Sequence, residues 1–432
     1  MILLPSVAAY CHLLHGTRPQ SQETSGIFSI TSLKVHQSPF QKGHAYQGIF
    51  YISNAALPCT IYTLAPNPPP ANCDYFLTGT LNQRGPFEYA FKPKQWTPIP
   101  YTWSLAQVRY DWKLRYRNFL ETQLKKHSHA ADFFFALTTG DLDNRLIRYE
   151  FERIGLQHIL GVSGFHFAIL AAASSFFLSY FLPRFWKWIV LLALLTIYYL
   201  FIGDSPAVQR CWLMALVYLI GKLLNRRTNA LNLLGCTLAI EIINNPLIIS
   251  NIGFQLSFAS CFGIFLLHPI YEKKLRFFLP KRSIETAQQL SFFSKHVYLL
   301  SSFLRQAISL GFAVNTAILP ILIVHFHGFP ILSLFYNLFY PFFADAAVFA
   351  LLLAMILYPL FSPIGSLVFS FAGILAAHLL DLASYPPLMI DRPVLIPYFP
   401  KELIPFYLFS LFHIAITHCK TASYNDYSIL PQ

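Results

Sequence analysis

Between residues 158 and 418 apolar stretches recur with almost no charge inside them, as in Trp188 to Ile202 and Val348 to Leu360. Several approach the roughly 20 residues that a helix needs to cross a bilayer. Composition agrees: 55% of the 432 residues are hydrophobic and 12% are charged, against about 25% charged in an average soluble domain. Mean hydropathy is +0.48, so water is not the main solvent of this chain. The expected fold is mostly α, a polytopic helical membrane bundle of about eight or nine spans, preceded by a small extracytoplasmic β domain.

The spans are expected at 158–182, 186–202, 206–224, 230–249, 251–270, 306–326, 330–358, 363–383 and 402–418. Within 330–358, Pro341 and Asp345 could divide the stretch into a half-helix and a span. Basic residues set the orientation. Arg184 and Lys187, then Lys222, Arg226 and Arg227, then the stretch from Lys273 to Arg305 are separated by two crossings each. All three therefore fall on one side, which the positive-inside rule names cytoplasmic. Residue 157 and everything before it would lie outside, and 419–432 would form a short cytoplasmic tail.

The remaining organisation follows composition. Residues 1–14 are apolar without a basic n-region and read, with 15–24, as an N-terminal anchor that looks shortened. From 25 to 100, short alternating runs such as Ile27-Phe28-Ser29-Ile30 and Tyr75-Phe76-Leu77-Thr78 point to a small β domain. Residues 101–157 begin with a helix that carries Arg109, Lys113, Arg115, Arg117, Lys125 and Lys126 among Trp103, Tyr110, Trp112, Tyr116 and Phe119. It reads as an amphipathic helix on the membrane surface, its cations meeting lipid headgroups or DNA phosphates and its aromatics available to unpaired bases. The net charge of +12 does not choose between those two partners.

The seven cysteines include no C-x-x-C pair and suggest no metal framework. Cys211, Cys236 and Cys261 read as apolar packing within spans. Cys59 and Cys73 lie in the extracytoplasmic segment, where a disulfide could persist.

Polar side chains inside spans are costly, about 2.5–3.5 kcal/mol for Arg or Asp at mid-helix, and usually face a bundle interior or a cavity. This chain has many: His158, Ser163, His166, Asp204, Arg210, Glu241, Asn244, Gln255, Ser257, Asn315, His325, His327, Asn337, Asp345, His378 and Asp381. Taken singly, such a residue is more often an interhelical hydrogen bond than part of a pathway. As a set they suit a water-filled passage. Three clusters stand out. Gly140-Asp141 with Gly155 to His166 has small residues where a helix could break; its two histidines lack further ligands for zinc. Gly203-Asp204-Ser205-Pro206 leads to Arg210, with Pro206 suited to a first helical turn and Arg210 poised to pair with Asp204, Glu241 or phosphate. Asn251 to Phe258 holds Gln255 and Ser257, two apart and so on different sides of a helix.

In this order the clusters resemble the competence domain of the ComEC family of DNA-uptake membrane proteins. The family pattern is matched by Gly140-Asp141, Gly155 to His166, Gly203 to Arg210 with Met214, Asn245-Pro246 with Gly253 to Phe258, and Pro320 with His325-Phe326 and Asn337. The match covers about residues 135–345, and residues 25–98 resemble the OB-like domain that precedes this channel. The resemblance implies a multi-pass inner-membrane channel that passes single-stranded DNA into the cytoplasm during natural transformation. Its pathway residues would be His158, Ser163, His166, Asp204, Arg210, Gln255, Ser257, His325 and Asn337. It also implies an extracytoplasmic DNA receptor, a separate nuclease and a cytoplasmic translocase ATPase as partners. The sequence departs from fuller family members in having no H-x-H-x-D-H motif of a metallo-β-lactamase-like domain, and it holds no G-x-x-x-x-G-K-[ST] loop. No enzyme activity, cofactor or metal is therefore expected. Two other readings stay open: a small-solute or ion transporter built on broken helices, and an intramembrane enzyme using Ser163 and His166.

Overall fold

The computed structural model describes residues 22–37, 42–52, 55–64, 68–85, 88–125, 127–162, 164–203, 205–226, 228–280, 282, 291–385, 394–396, 400 and 402–427. Most of the expected anchor, together with Lys126, Ser163 and Asp204, lies outside them.

Strands β1 (Gln22–Gln37), β2 (Lys42–Ile52), β3 (Ala55–Thr63), β4 (Tyr75–Gly85) and β5 (Glu88–Pro98) close a barrel in the order β1-β2-β3-β5-β4. Its β3–β5 pairing is parallel and the others are antiparallel. Alternation builds the interior: Phe28, Tyr46, Phe50, Ile61, Leu77 and Phe91 point inward, while Ile27, Tyr51 and Phe76 face out. Gly48 lets β1 and β2 approach closely, because a Cβ there would sit 2.1 Å from the Ser29 carbonyl oxygen. Cys59 belongs to this core and Cys73 hydrogen-bonds Tyr75; both are free thiols. The expected disulfide is not formed: Cys59 is buried in the barrel core, and Cys73, packed against the same cluster from the turn before β4, stays a free thiol.

Helix α1 (Leu105–Gln123) starts at Ser104, whose hydroxyl accepts from Ala106 N and donates to the Ile30 carbonyl. Ala106 then joins the barrel core. Next come α2 (Ser128–Thr139) and α3 (Arg145–Arg153), which pack with α10 (Leu332–Leu360) and α11 (Ser362–Ser384) around Phe133, Phe134, Phe151, Tyr340 and Phe369. These contacts run the length of the α10–α11 hairpin: Phe119 meets Tyr358 and Phe369 near its turn, and Arg153 reaches the Ala383 and Ser384 carbonyls at its end. The 101–157 segment is therefore built into the bundle. The expectation of a helix resting on the membrane with its cations outward is corrected for Lys113 and Arg117, which turn inward because carboxylates farther along the chain receive them.

Between these lie α4 (Gly164–Phe181), α5 (Arg184–Ile202), α6 (Pro206–Leu223), α7 (Ala230–Asn244), α8 (Ile252–Leu275) and α9 (Phe292–Phe326), and α12 (Leu403–Tyr427) follows. Helices α8 and α9 pair closely at Gly263, where a Cβ would lie 2.5 Å from the Ala313 carbonyl oxygen. Helix α10 continues through Pro341 and Asp345 without a break. Among the described residues five helices, α5, α8, α9, α10 and α11, are long and apolar enough to cross a membrane; shorter apolar stretches occupy His166–Phe181, Ala230–Asn244 and Leu403–Ile414. Their outward faces carry exposed side chains such as Phe177, Leu194, Phe349 and Phe371. So extensive an apolar exterior suits lipid rather than water.

Candidate functional site

The sequence clusters meet in space at helix starts. Gly155 holds φ +72, and a Cβ there would fall 2.4 Å from Pro330 and 2.7 Å from Ser333. Both constraints demand glycine. They bring the 3-10 turn Gln157–Ile159, with exposed His158, against the first turns of α10, where Asn337 stands. Two residues into α4, buried His166 places Nε2 3.2 Å from Asp345 Oδ1.

Gly203 ends α5 at φ +89, against the Arg109 guanidinium. Pro206 opens α6 and Arg210 follows one turn later, only 4% exposed. Its Nη1 donates to the Ser257 carbonyl and to Cys261 Sγ, its Nη2 lies 3.5 Å from Cys211 Sγ, and it sits over the Phe258 ring at 5.9 Å. Cys211 and Cys261 are therefore not plain apolar packing, as their sequence context suggested, because both sulfurs serve as acceptors for a buried cation. Asn251 caps α8 by accepting from Phe254 N. One turn on, Gln255 donates to the Ile249 carbonyl at 2.8 Å and its Oε1 meets His325 Nε2 at 3.3 Å. Gln255 thus addresses α9 and Ser257 addresses α6, as their spacing predicts.

A further charged junction joins barrel and bundle. Asp141 receives Lys34 of β1 at 2.9 Å and Lys113 of α1, and Lys113 also donates to the Ile202 carbonyl at the end of α5. Burial would raise the Asp141 carboxyl, but the two lysines outweigh it and hold it below the ordinary carboxylate value. For Lys113 burial prevails over Asp141 and pushes the ammonium down. Arg109 bridges the Leu200 and Thr31 carbonyls, and Arg117 pairs with Glu121, Asp132 and Asp143. Arg115 and Lys125 alone among the described basic residues of this segment's candidate set are exposed. Among the described residues no three His, Cys, Asp or Glu side chains gather as a metal site would require.

The model of the competence protein family matches residues 141–420. The chain belongs to the competence protein family. It is similar to ComE operon protein 3 of Bacillus subtilis (strain 168), with 29% identity over 246 residues. That alignment covers 56% of this chain and 28% of the relative's length. No solved structure matches. Family membership ties the chain to competence. Asp345, which the sequence offers as a polar break in α10, is instead the partner of His166. Cys261 carried a usable signal, standing four residues after Ser257 and so on the same face of α8; Cys211 carried none.

Proposed function

We propose that this competence protein forms the passage by which single-stranded DNA crosses the cytoplasmic membrane. The observation that carries the reading is the set of three polar contacts, His166–Asp345, Arg210–Ser257 and Gln255–His325. Each joins a different pair of elements; singly such contacts serve as interhelical hydrogen bonds, and gathered at the starts of α4, α6 and α8 they supply the polar interior that a passage needs. Helices α4–α12 would form the membrane part, about nine spans, with α1–α3 packed in against α10 and α11. The barrel's strand order with parallel β3–β5 is that of OB barrels, which suits it to hold unpaired bases before the passage. Exposed Arg115 and Lys125 would meet phosphate or lipid headgroups.

Deleting the gene in a transformable host should abolish entry of labelled DNA into the cytoplasm, and unchanged entry would overturn the proposal. Arg210→Ala and His166→Ala should reduce entry at least tenfold while the protein still inserts. Should the reconstituted protein move an ion or metabolite and ignore DNA, the transporter reading would replace this one.

A further inference from the structure

Among the described residues, the neighbourhood of Arg210 contains four buried polar atoms without a hydrogen-bond partner: Glu241 Oε1 and Oε2, Arg210 Nε and Ser257 Oγ. Glu241 lies on α7 and is 1% exposed. An apolar cluster of Leu234 and Leu238 on the same helix with Phe254 and Phe258 on α8 fills the α7–α8 contact. The elements packed against α7 are α6, α8 and the turn Pro246–Ser250. At this point they contribute Arg210 and Cys211 from α6 and Cys261 from α8; the turn contributes no titratable group. Arg210 is near enough to act on Glu241 through its charge, yet its hydrogen bonds go to Ser257 and the two sulfurs.

A carboxylate buried among apolar side chains with no donor is among the costliest arrangements in a protein, and it is relieved by holding a proton. The adjacent guanidinium keeps its charge in any case. We propose that Glu241 is a proton-binding site that decides where Arg210 points. With the proton on, Glu241 is neutral and Arg210 turns to α8. When the O–H bond breaks, the electron pair stays on the carboxylate and the proton leaves to water. Arg210, whose Nε is unused, then rotates to pair with Glu241 and releases the Ser257 carbonyl and Cys261 Sγ. Arg210 Nε and the two Glu241 carboxylate oxygens are the atoms that such a second arrangement would satisfy. One consequence rests on the channel reading: only the protonated form leaves the charge of Arg210 free for phosphate.

The test uses the full chain in lipid nanodiscs and no DNA, so its failure would leave the channel reading standing. Infrared difference spectra recorded from acid to alkaline pH should contain a protonated-carboxyl band at neutral pH. That band should vanish in Glu241→Gln, shift in Glu241→Asp and persist in Asp345→Asn. Methylthiolation of Cys261 by methyl methanethiosulfonate, in which the thiolate takes the methylthio group as a mixed disulfide and methanesulfinate leaves, read by mass spectrometry, should rise severalfold more steeply with pH in the wild-type chain than in Glu241→Gln, which reports the thiol's own ionisation. A band indifferent to Glu241→Gln and Glu241→Asp, or equal pH profiles for Cys261 in the two proteins, would overturn the proposal.

Discussion

At the scale of single residues, backbone geometry makes the sharpest claim. Gly155→Ala combines a left-handed φ with a clash against Pro330 and Ser333, so it should destabilise the protein by about 2 kcal/mol or more. Gly311, inside α9 with nothing within 4 Å of a Cβ, is the control, and Gly311→Ala should stabilise by up to about 1 kcal/mol. Thermal unfolding in detergent checks both, and a neutral Gly155→Ala would show that the first turns of α10 do not press on this position. The His166–Asp345 contact invites a double-mutant cycle, with an expected coupling of about 1–3 kcal/mol between His166→Ala and Asp345→Ala. The pairing itself could not be read from the sequence. His166 and Asp345 are separated by most of the membrane part, and no local period links them. What was legible was the residue type, because polar side chains in apolar stretches announce that something must receive them.

Among the elements, the helices were legible for a simple reason. A stretch that must satisfy every backbone group in lipid has few alternatives to a helix, and alternation in runs such as Ile27 to Ile30 marks a strand equally well. The packing of α1–α3 was hidden, because a basic helix reads the same whether its cations face water or buried carboxylates. Arg117 meets Asp132 and Asp143, and Lys113 meets Asp141, only after the chain has turned back. This junction also sets an acid limit on the attachment of the barrel. The Asp141 carboxyl is depressed in the folded protein, so its stabilisation is fully present above the ordinary Asp value of about 3.9 and is lost as pH falls through the folded value. Hydrogen exchange in β1 should therefore remain slow down to about pH 4 and quicken below it. Asp141→Asn leaves Lys113 buried without its counter-ion. It should loosen the barrel at neutral pH by about 3 kcal/mol, seen as fast exchange in β1 with the helices unchanged. Equal protection in both proteins would mean that Arg109 and Ser104 suffice to hold the barrel.

For the whole molecule, charge and position together make a demand that neither makes alone. The chain carries +12, yet three of the cations nearest the barrel, Arg109, Lys113 and Arg117, are occupied by carbonyls and carboxylates. Of the candidate cations, exposed Arg115 and Lys125 outside and Arg210 within the helices stay available to an incoming strand on the channel reading. Such cations cannot read base sequence, since phosphate contacts position a strand without identifying it. They can distinguish an anionic backbone from a neutral one. On the channel reading, import should therefore be indifferent to base composition but sensitive to backbone charge. A single strand with methylphosphonate linkages should enter at least tenfold more slowly than the phosphodiester strand of the same sequence, measured as label recovered in the cytoplasm. An abasic phosphodiester strand should cross the helices at close to the normal rate once engaged, because stacking belongs to the barrel and charge to the passage. Arg210→Ala should narrow the gap between the charged and neutral strands by slowing the charged one. If the methylphosphonate strand enters as fast as DNA, the cation at the start of α6 has no phosphate to meet, and its place in the fold is structural.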